Sequence, residues 1–280
     1  MGRRKPPQKA GAKRRSRGGI PTLRRAGTPP PRVATRPGAP TPALGAAAAD
    51  LSARQGSSPR SRFPVSASFG VVEYERERAQ MVLDLRRMGI RDERVVAAMA
   101  RVPRERFVRG EDQDVAYGDH ALGIAEGQTI SQPFVVARMT ELLEVGPDHH
   151  VLEVGTGSGY QAAVLAELAR DVVSVERHAP LAERARALLA ELGYVNVRVI
   201  AADASAGYPP DAPYDRILVT AASPGISPEL VRQLAPGGRI VAPVGDEEMQ
   251  HLVVRHPDGR ETRHGAVKFV PLRGRAGFHY

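Results

Sequence analysis

The sequence of 280 residues predicts an α/β fold: a mostly parallel, doubly wound sheet with an antiparallel C-terminal strand addition and an N-terminal helical segment. Three observations predict it. From residue 151 onward, short and continuously apolar runs alternate with helix-like stretches, which is how strands covered on both faces read. Ahead of them the apolar residues recur at helical spacing. Behind them lie two extended runs, with an Asp258-Gly259 turn signal near the first and no helix between, the pattern of an antiparallel pair.

Taken in order, Met81, Val82, Leu85 and Met88 form an apolar stripe that ends at Gly89. Asp92 then caps a short helix through Val95, Val96 and Met99 that stops at Val102-Pro103. A loop rich in Asp and Gly covers residues 110–127. An extended piece leads into a helix with Pro133 in its first turn and Val135, Met139 and Leu142 on one face, ended by Gly146-Pro147. Strands follow at 151–154, 172–176, 197–200, 216–222 and 239–244. Helices are predicted over 160–169, over 180–192, and from Pro228 through Leu230, Val231 and Leu234. The two closing runs are HLVVRH (251–256) and AVKFVPL (266–272).

The formal net charge of +9 is unevenly placed. Residues 1–64 hold 15 Lys/Arg, one acid and 11 of the 24 prolines, whereas the rest holds 25 bases and 30 acids, a net −5. A segment of that composition, with Phe63 as its one aromatic, cannot bury enough apolar area to offset chain entropy. Residues 1–64 therefore read as a disordered basic tail and 65–280 as the folded domain. The absence of cysteine excludes disulfide frameworks, thiolate-bound zinc, iron–sulfur clusters and cysteine nucleophiles. The eight histidines lack metal-ligand spacing, so no metal is expected. No stretch reaches the roughly 18 apolar residues of a membrane span and the start lacks a secretory apolar core, so a soluble, cytoplasmic protein is expected.

In an open parallel sheet a ligand sits beyond the carboxyl ends of the strands, at the switch in strand order, which points to the first strand–turn–helix. There stands Glu153-Val-Gly155-Thr-Gly157-Ser-Gly159. Glycines permit positive φ and close approach of a ligand to the backbone, and the following helix offers its N-terminus. The spacing lacks the G-x-G-x-x-G of a dinucleotide fingerprint, and an acid ahead of it suits a cationic ligand better than a pyrophosphate. The turn is similar to the S-adenosyl-L-methionine (AdoMet) motif of class I methyltransferases; a turn chosen for tight packing is the plainer alternative. Glu176 ends the second strand, where an acid accepts hydrogen bonds from both ribose hydroxyls, against the alternative of a solvated glutamate. Asp203 follows the third strand, beside an adenine site or as an ordinary turn residue.

The segment Gly127-QTISQPFVVARMTELLE, with RVPRERFV before it and VLEVGTGSGYQAAVLAELA and YDRILVTAASP after it, closely resembles the protein-L-isoaspartate O-methyltransferase family. The similarity runs over residues 74–272, and QTISQP is its most specific part. The resemblance implies a Rossmann-like class I methyltransferase fold, AdoMet as co-substrate, and isoaspartyl-containing proteins and peptides as partners. Their free α-carboxylate is methylated, and the ester collapses to a succinimide on the way to repair. By the same resemblance the AdoMet site comprises Glu153, Gly155, Thr156, Gly157 and Gly159, joined by Glu176, Asp203 and Ala204. Ser131 matches the active-site residue. Ala121, Leu122 and Ile124 match a loop that closes over the substrate, with Thr129, Thr220, Ala221 and Ala222 on the same side. Without that match, Ser131 reads as a helix cap before Pro133.

Two positions depart from the family pattern. Gly123 stands where the loop usually has proline, and Ala204 where glycine is usual, so a looser loop and a more crowded adenine edge are expected. A monomer is expected. The basic tail keeps a second class of reading open: an AdoMet-dependent enzyme acting on nucleic acid, or a non-catalytic AdoMet-fold binding protein. Against the nucleic-acid enzyme, the folded part is net acidic and VTAASP stands where an N-P-P-Y-like or D-P-P-Y-like motif would follow the fourth strand.

Overall fold

The fold is that of a computed structural model, which describes residues 74–278 and the isolated Gly2. The expectation of a disordered tail over residues 1–64 lies outside the described residues. Helix α1 (Glu75–Arg87) buries Met81 and Leu85, while Met88 is exposed, so its stripe is narrower than the spacing predicts. Asp92 caps α2 (Glu93–Arg101), its carboxylate accepting from the Arg94 N–H at 2.9 Å. Two 3-10 turns, Arg104–Phe107 and Gly110–Val115, follow. Within the Gly-rich loop, β1 (Leu122–Gly123) and β2 (Thr129–Ile130) pair as a short antiparallel hairpin, which sequence pattern did not reveal because two residues show no periodicity.

Helix α3 (Pro133–Leu143) begins on its proline as expected, but its buried face runs through Val136, Met139, Thr140 and Leu143. Val135 and Leu142 are only partly buried. The offset arises because Thr140 joins the buried face: its hydroxyl donates to the Val136 carbonyl at 2.8 Å, so a polar residue is tolerated there.

The main sheet is built from β3 (His150–Val154), β4 (Asp171–Glu176), β5 (Val197–Ala201), β6 (Tyr214–Val219), β7 (Leu234–Gly245), β8 (Gln250–Arg255) and β9 (Glu261–Val267), in the order β5-β4-β3-β6-β7-β8-β9. Strands β3 to β7 are parallel, and β8 and β9 add antiparallel at the edge. The chain leaves β3 toward β4 and later returns to its other side as β6, which puts the switch in strand order beside β3. Between strands lie α4 (Tyr160–Ala166), α5 (Ala179–Glu191) and α6 (Pro228–Arg232). Among the described residues no helix is long and apolar enough to cross a membrane.

Several boundaries differ from the predicted ones: β6 ends at Val219 rather than 222, and β7 begins at Leu234 rather than 239. Helix α4 ends three residues early, and α6 is a single turn after which Leu234 already belongs to β7. The last strand is Glu261–Val267 rather than 266–272, because an edge strand half open to water needs no apolar run. The apolar residues that suggested the later stretch, Phe269 and Leu272, are buried elsewhere, where the chain turns back over the carboxyl ends of the parallel strands. There Ala222 donates to the Val270 carbonyl at 2.8 Å and Leu272 donates to the Ala222 carbonyl at 2.7 Å.

Alternation along each strand divides the core into two clusters. One contains Val151, Val172 and Leu218 with Met81, Met99, Met139, Leu165 and Leu189, so α1 to α5 contribute to it. The other contains Leu152, Val154, Val173, Ile217 and Ile240, and from the helices only Leu230 of α6. This second cluster is the thinner cover. Leu152, fully buried at the centre of β3, is therefore expected to lose about 2–5 kcal/mol on substitution Leu152→Ala, read as a lower urea midpoint at unchanged m-value.

Candidate active site

The carboxyl end of β3 runs into the glycine turn, and Gly155, Gly157 and Gly159 all take positive φ (102°, 53° and 90°). Gly155 has a second reason to be glycine. A Cβ there would stand 2.5 Å from the Thr220 Oγ1, which sits against the main chain and donates to the carbonyls of Val154 and Gly155 at 2.8 and 2.5 Å. The turn and the end of β6 are thus fastened together across the switch point. Around them lies an elongated cavity whose lining includes Gly155, Thr156, Gly157, Glu176, Asp203, Ala204, Thr220 and Ala221.

Glu176, at the end of β4, is 5% exposed and accepts one backbone N–H on each carboxylate oxygen: Gly157 at 3.0 Å and His178 at 2.9 Å. Each oxygen keeps a lone pair for a ligand hydroxyl. The solvated-glutamate alternative is excluded by this burial. Asp203 also borders the cavity. Its Oδ1 accepts from the Ser205 N–H at 2.9 Å and its Oδ2 from the Arg275 N–H at 3.1 Å. Burial pushes the Asp203 carboxyl up, but those two backbone bonds outweigh it and leave the pKa below the ordinary value.

Glu153 is placed differently from the expectation. It lies beneath the turn, fully buried, and does not line the cavity. Its Oε2 accepts from the Ser174 hydroxyl at 2.5 Å, and Ser174 also bonds the Thr156 hydroxyl at 2.5 Å, while Oε1 has no hydrogen-bond partner among the described residues. Burial, with a smaller contribution from Glu176, pushes its carboxyl up to about 8, so it is a neutral acid at pH 7. Of the two acids bonded around the turn, Glu153 and Glu176, it is Glu176 that lines the cavity, alongside Asp203.

Ser131 follows β2 and borders two spaces at once: the cavity and an adjoining, largely apolar groove lined by Ala121, Phe134, Val135, Met249 and Val267, with Arg138, Glu247, Glu248 and Lys268 also on its walls. Thr129 borders both as well. The cap reading of Ser131 does not hold, because the N-cap of α3 is Gln132 and the Phe134 N–H is taken by Asp119 at 2.8 Å. Leu122 and Ile124 are buried core residues behind the hairpin, Ile124 packing over Gly157, and neither faces the groove. Ala222 is fully buried and anchors the returning C-terminal segment.

Residues 269–273 of that segment complete the cavity wall, together with Tyr160, Gln161 and His178. Sequence reading missed them. The one available signal was the apolar content of AVKFVPL, which resembles a strand as much as a lining. Among the described residues no group of three or more His, Asp or Glu is placed to hold a metal.

An open parallel sheet whose switch point carries a positive-φ glycine turn, with an acid at the end of the adjacent strand bonded to that turn, defines a class I AdoMet-dependent methyltransferase. Comparison with known proteins narrows the class. The family model for protein-L-isoaspartate(D-aspartate) O-methyltransferase matches residues 76–277, and the chain belongs to that family. The protein-L-isoaspartate O-methyltransferase of Methanoculleus marisnigri is 55% identical over 207 residues, covering 72% of this chain and 94% of its own. That of Koribacter versatilis is 51% identical over 218 residues, covering 76% and 98%. A solved protein-L-isoaspartate O-methyltransferase aligns with TM-score 0.64 at 27% identity, covering 71% of this chain and 66% of that one. A Plasmodium falciparum structure in complex with S-adenosyl-L-homocysteine (AdoHcy) aligns at 0.61 over 70% and 98%, and at 23% identity it bears on the fold alone.

Each of the two acids can be tested by substitution. Glu176→Gln is expected to weaken AdoHcy binding about tenfold or more by calorimetry. Glu176→Ala additionally strands the Gly157 and His178 N–H groups, at about 1–3 kcal/mol of stability. Glu153 binds its proton up to about pH 8 when folded but only to its ordinary value when unfolded, so its contribution is full below the unfolded pKa and is lost as pH rises to about 8. Glu153→Gln is therefore expected to flatten the fall in Tm between pH 5 and 8; an unchanged slope in a buffer series would contradict the assignment.

Proposed function

We propose that the chain transfers the sulfonium methyl group of AdoMet to the free α-carboxylate of L-isoaspartyl residues, and to the side-chain carboxylate of D-aspartyl residues, in damaged proteins, so initiating repair through a succinimide. Membership of the family supports the reaction, and the observation that carries it is the position of Ser131 and Thr129 where the cavity meets the apolar groove. A ligand in the cavity and a peptide in the groove would touch there.

The residues at this junction suit a displacement that needs no general base. An α-carboxyl group with an ordinary pKa of about 3.3–3.7 is already an anion at neutral pH. The methyl donor, when bound, supplies a leaving group that departs neutral. What remains for the protein is to hold oxygen and methyl carbon in line and to keep water out, which is the proximity contribution. Charge is neutralised as the bond forms, so a cation gripping the carboxylate would favour the ground state over the transition state. A hydroxyl such as Ser131 orients the carboxylate without that cost. The glycine turn and Glu176 hold the donor; Asp203, Ala204 and Leu272 border its far end.

The same geometry accounts for selection of isoaspartyl over aspartyl peptides. In an isoaspartyl residue the carboxylate sits directly on Cα, whereas the aspartyl carboxylate hangs one methylene further out. With the peptide seated in the groove and the methyl donor fixed by the turn, that extra methylene displaces the oxygen from the line of attack.

With labelled AdoMet, the chain is expected to release base-labile methanol from an isoaspartyl peptide and not from its aspartyl twin, with or without residues 1–64. Equal labelling of both peptides, or loss of activity with the tail, would contradict this reading. Ser131→Ala is expected to lower kcat on the isoaspartyl peptide about tenfold or more while AdoHcy affinity is kept.

A further inference from the structure

The motif RVPRERFV places Arg104 at the start of the first 3-10 turn, where it heads the wholly buried side chains, at 0% exposure. Among the described residues no carboxylate pairs with it. Glu105, its neighbour, is committed to Tyr117 and Arg78. The guanidinium instead donates from Nε to the Ala116 carbonyl at 2.6 Å and from Nη2 to the Ser131 carbonyl at 2.8 Å. Its Cζ lies 4.7 Å from the centre of the Tyr160 ring, and Nη1 has no partner. Burial pulls its pKa below the ordinary value, against the pull of Tyr160.

A buried cation without a counter-ion is costly, and an apolar side chain of similar volume would fill the space with less penalty. What a guanidinium adds is a rigid fork of donors, able to fasten two carbonyls from separate segments in one plane while its face rests on an aromatic ring. The three groups it joins are telling. Ala116 belongs to the loop before the hairpin, Ser131 lies where cavity and groove meet, and Tyr160 is the first residue of α4, directly after the glycine turn.

We propose that Arg104 is a positioning residue for methyl transfer: it sets the spacing between Ser131, which receives the substrate carboxylate, and the turn that holds the methyl donor. It touches neither ligand, since it lines neither the cavity nor the groove. The inference rests on the reading of Ser131 as the substrate-side residue.

Arg104→Met keeps the volume and removes both donors; Arg104→Lys keeps the charge with a single ammonium. Turnover of the isoaspartyl peptide is expected to fall about tenfold or more in Arg104→Met and less in Arg104→Lys, within the roughly hundredfold that a ~1 Å misplacement can cost. AdoHcy affinity by calorimetry is expected to stay within about twofold of the parent in both, a split that general loosening of the fold would not give. In the Ser131→Ala background, Arg104→Met is expected to add no more than about a twofold further loss, because both changes act on one element. Should Arg104→Met fail to fold by circular dichroism, Arg104→Lys carries the same comparison. Parent-like turnover in the folded variants, parallel loss of AdoHcy affinity and turnover, or fully additive losses would each overturn the proposal. Parent-like turnover in Ser131→Ala alone would instead remove the reading of Ser131 beneath it.

Discussion

Between Val154 and Tyr160 the main chain must leave the centre of a parallel sheet, reverse, and start a helix, and the N–H groups of Gly155, Gly157, Gly159 and Tyr160 are all bonded within the protein as it does so. Three glycines at positive φ make the path possible, and Thr220 makes it tight by occupying the space that a Cβ on Gly155 would need. Most of the site depends on this turn. Glu176 is aimed by its bond to the Gly157 N–H, Ile124 of the hairpin packs over Gly157, and α4 sets out from Gly159 with Tyr160 as its first residue. A side chain at Gly155 would collide with Thr220 just past β6, one at Gly159 would press on Ala185 and Leu189 of α5, and one at Gly157 would only touch Ile124 and Thr129 beside the hairpin.

The electrostatic arrangement around the turn separates two acids by environment. Glu153 is enclosed beneath the sheet's central strand, with one oxygen unpartnered and its proton retained, so it acts as a neutral member of the Ser174–Thr156 hydroxyl chain. Glu176 is nearly as buried, yet its oxygens meet two backbone donors and face the cavity. The buried Arg104 on the far side of Ser131 is the complement: a cation placed where it fastens main chain and contacts no carboxylate, leaving the junction itself lined by hydroxyls. Charged residues do line both spaces, Glu176, Asp203 and Arg273 in the cavity and Arg138, Glu247 and Lys268 in the groove, and it is at the junction that Ser131 and Thr129 supply hydroxyls.

Much of the fold was legible in the sequence because its signals are local. Continuous apolar strands, Asp92 as a cap, Pro133 at a helix start and the glycine turn each express a backbone requirement that a few neighbouring residues satisfy together. The errors fall where the requirement is non-local. The hairpin that carries Thr129 is two residues wide. The exposed edge strand has no apolar period, and the stretch 269–273, which looks like a strand, closes the cavity because Ala222, three residues beyond β6, captures it.

From the sequence alone came the class of fold, the glycine turn and Glu176 as candidates, and, through resemblance, the family and with it Ser131. Spacing along the chain encodes the turn and Glu176, since a turn and its flanking strands are contiguous. Only the tertiary structure decided which carboxyl group faces the ligand, what replaces Ser131 as the cap of α3, and which distant segments complete the wall. It also placed Leu122, Ile124 and Ala222 among the buried residues. Burial and hydrogen-bond partnership are properties of residues brought together from distant parts of the chain: Glu153 and Glu176 look alike in a string, and the packing around each makes one a proton-bearing strut and the other an acceptor at the cavity wall.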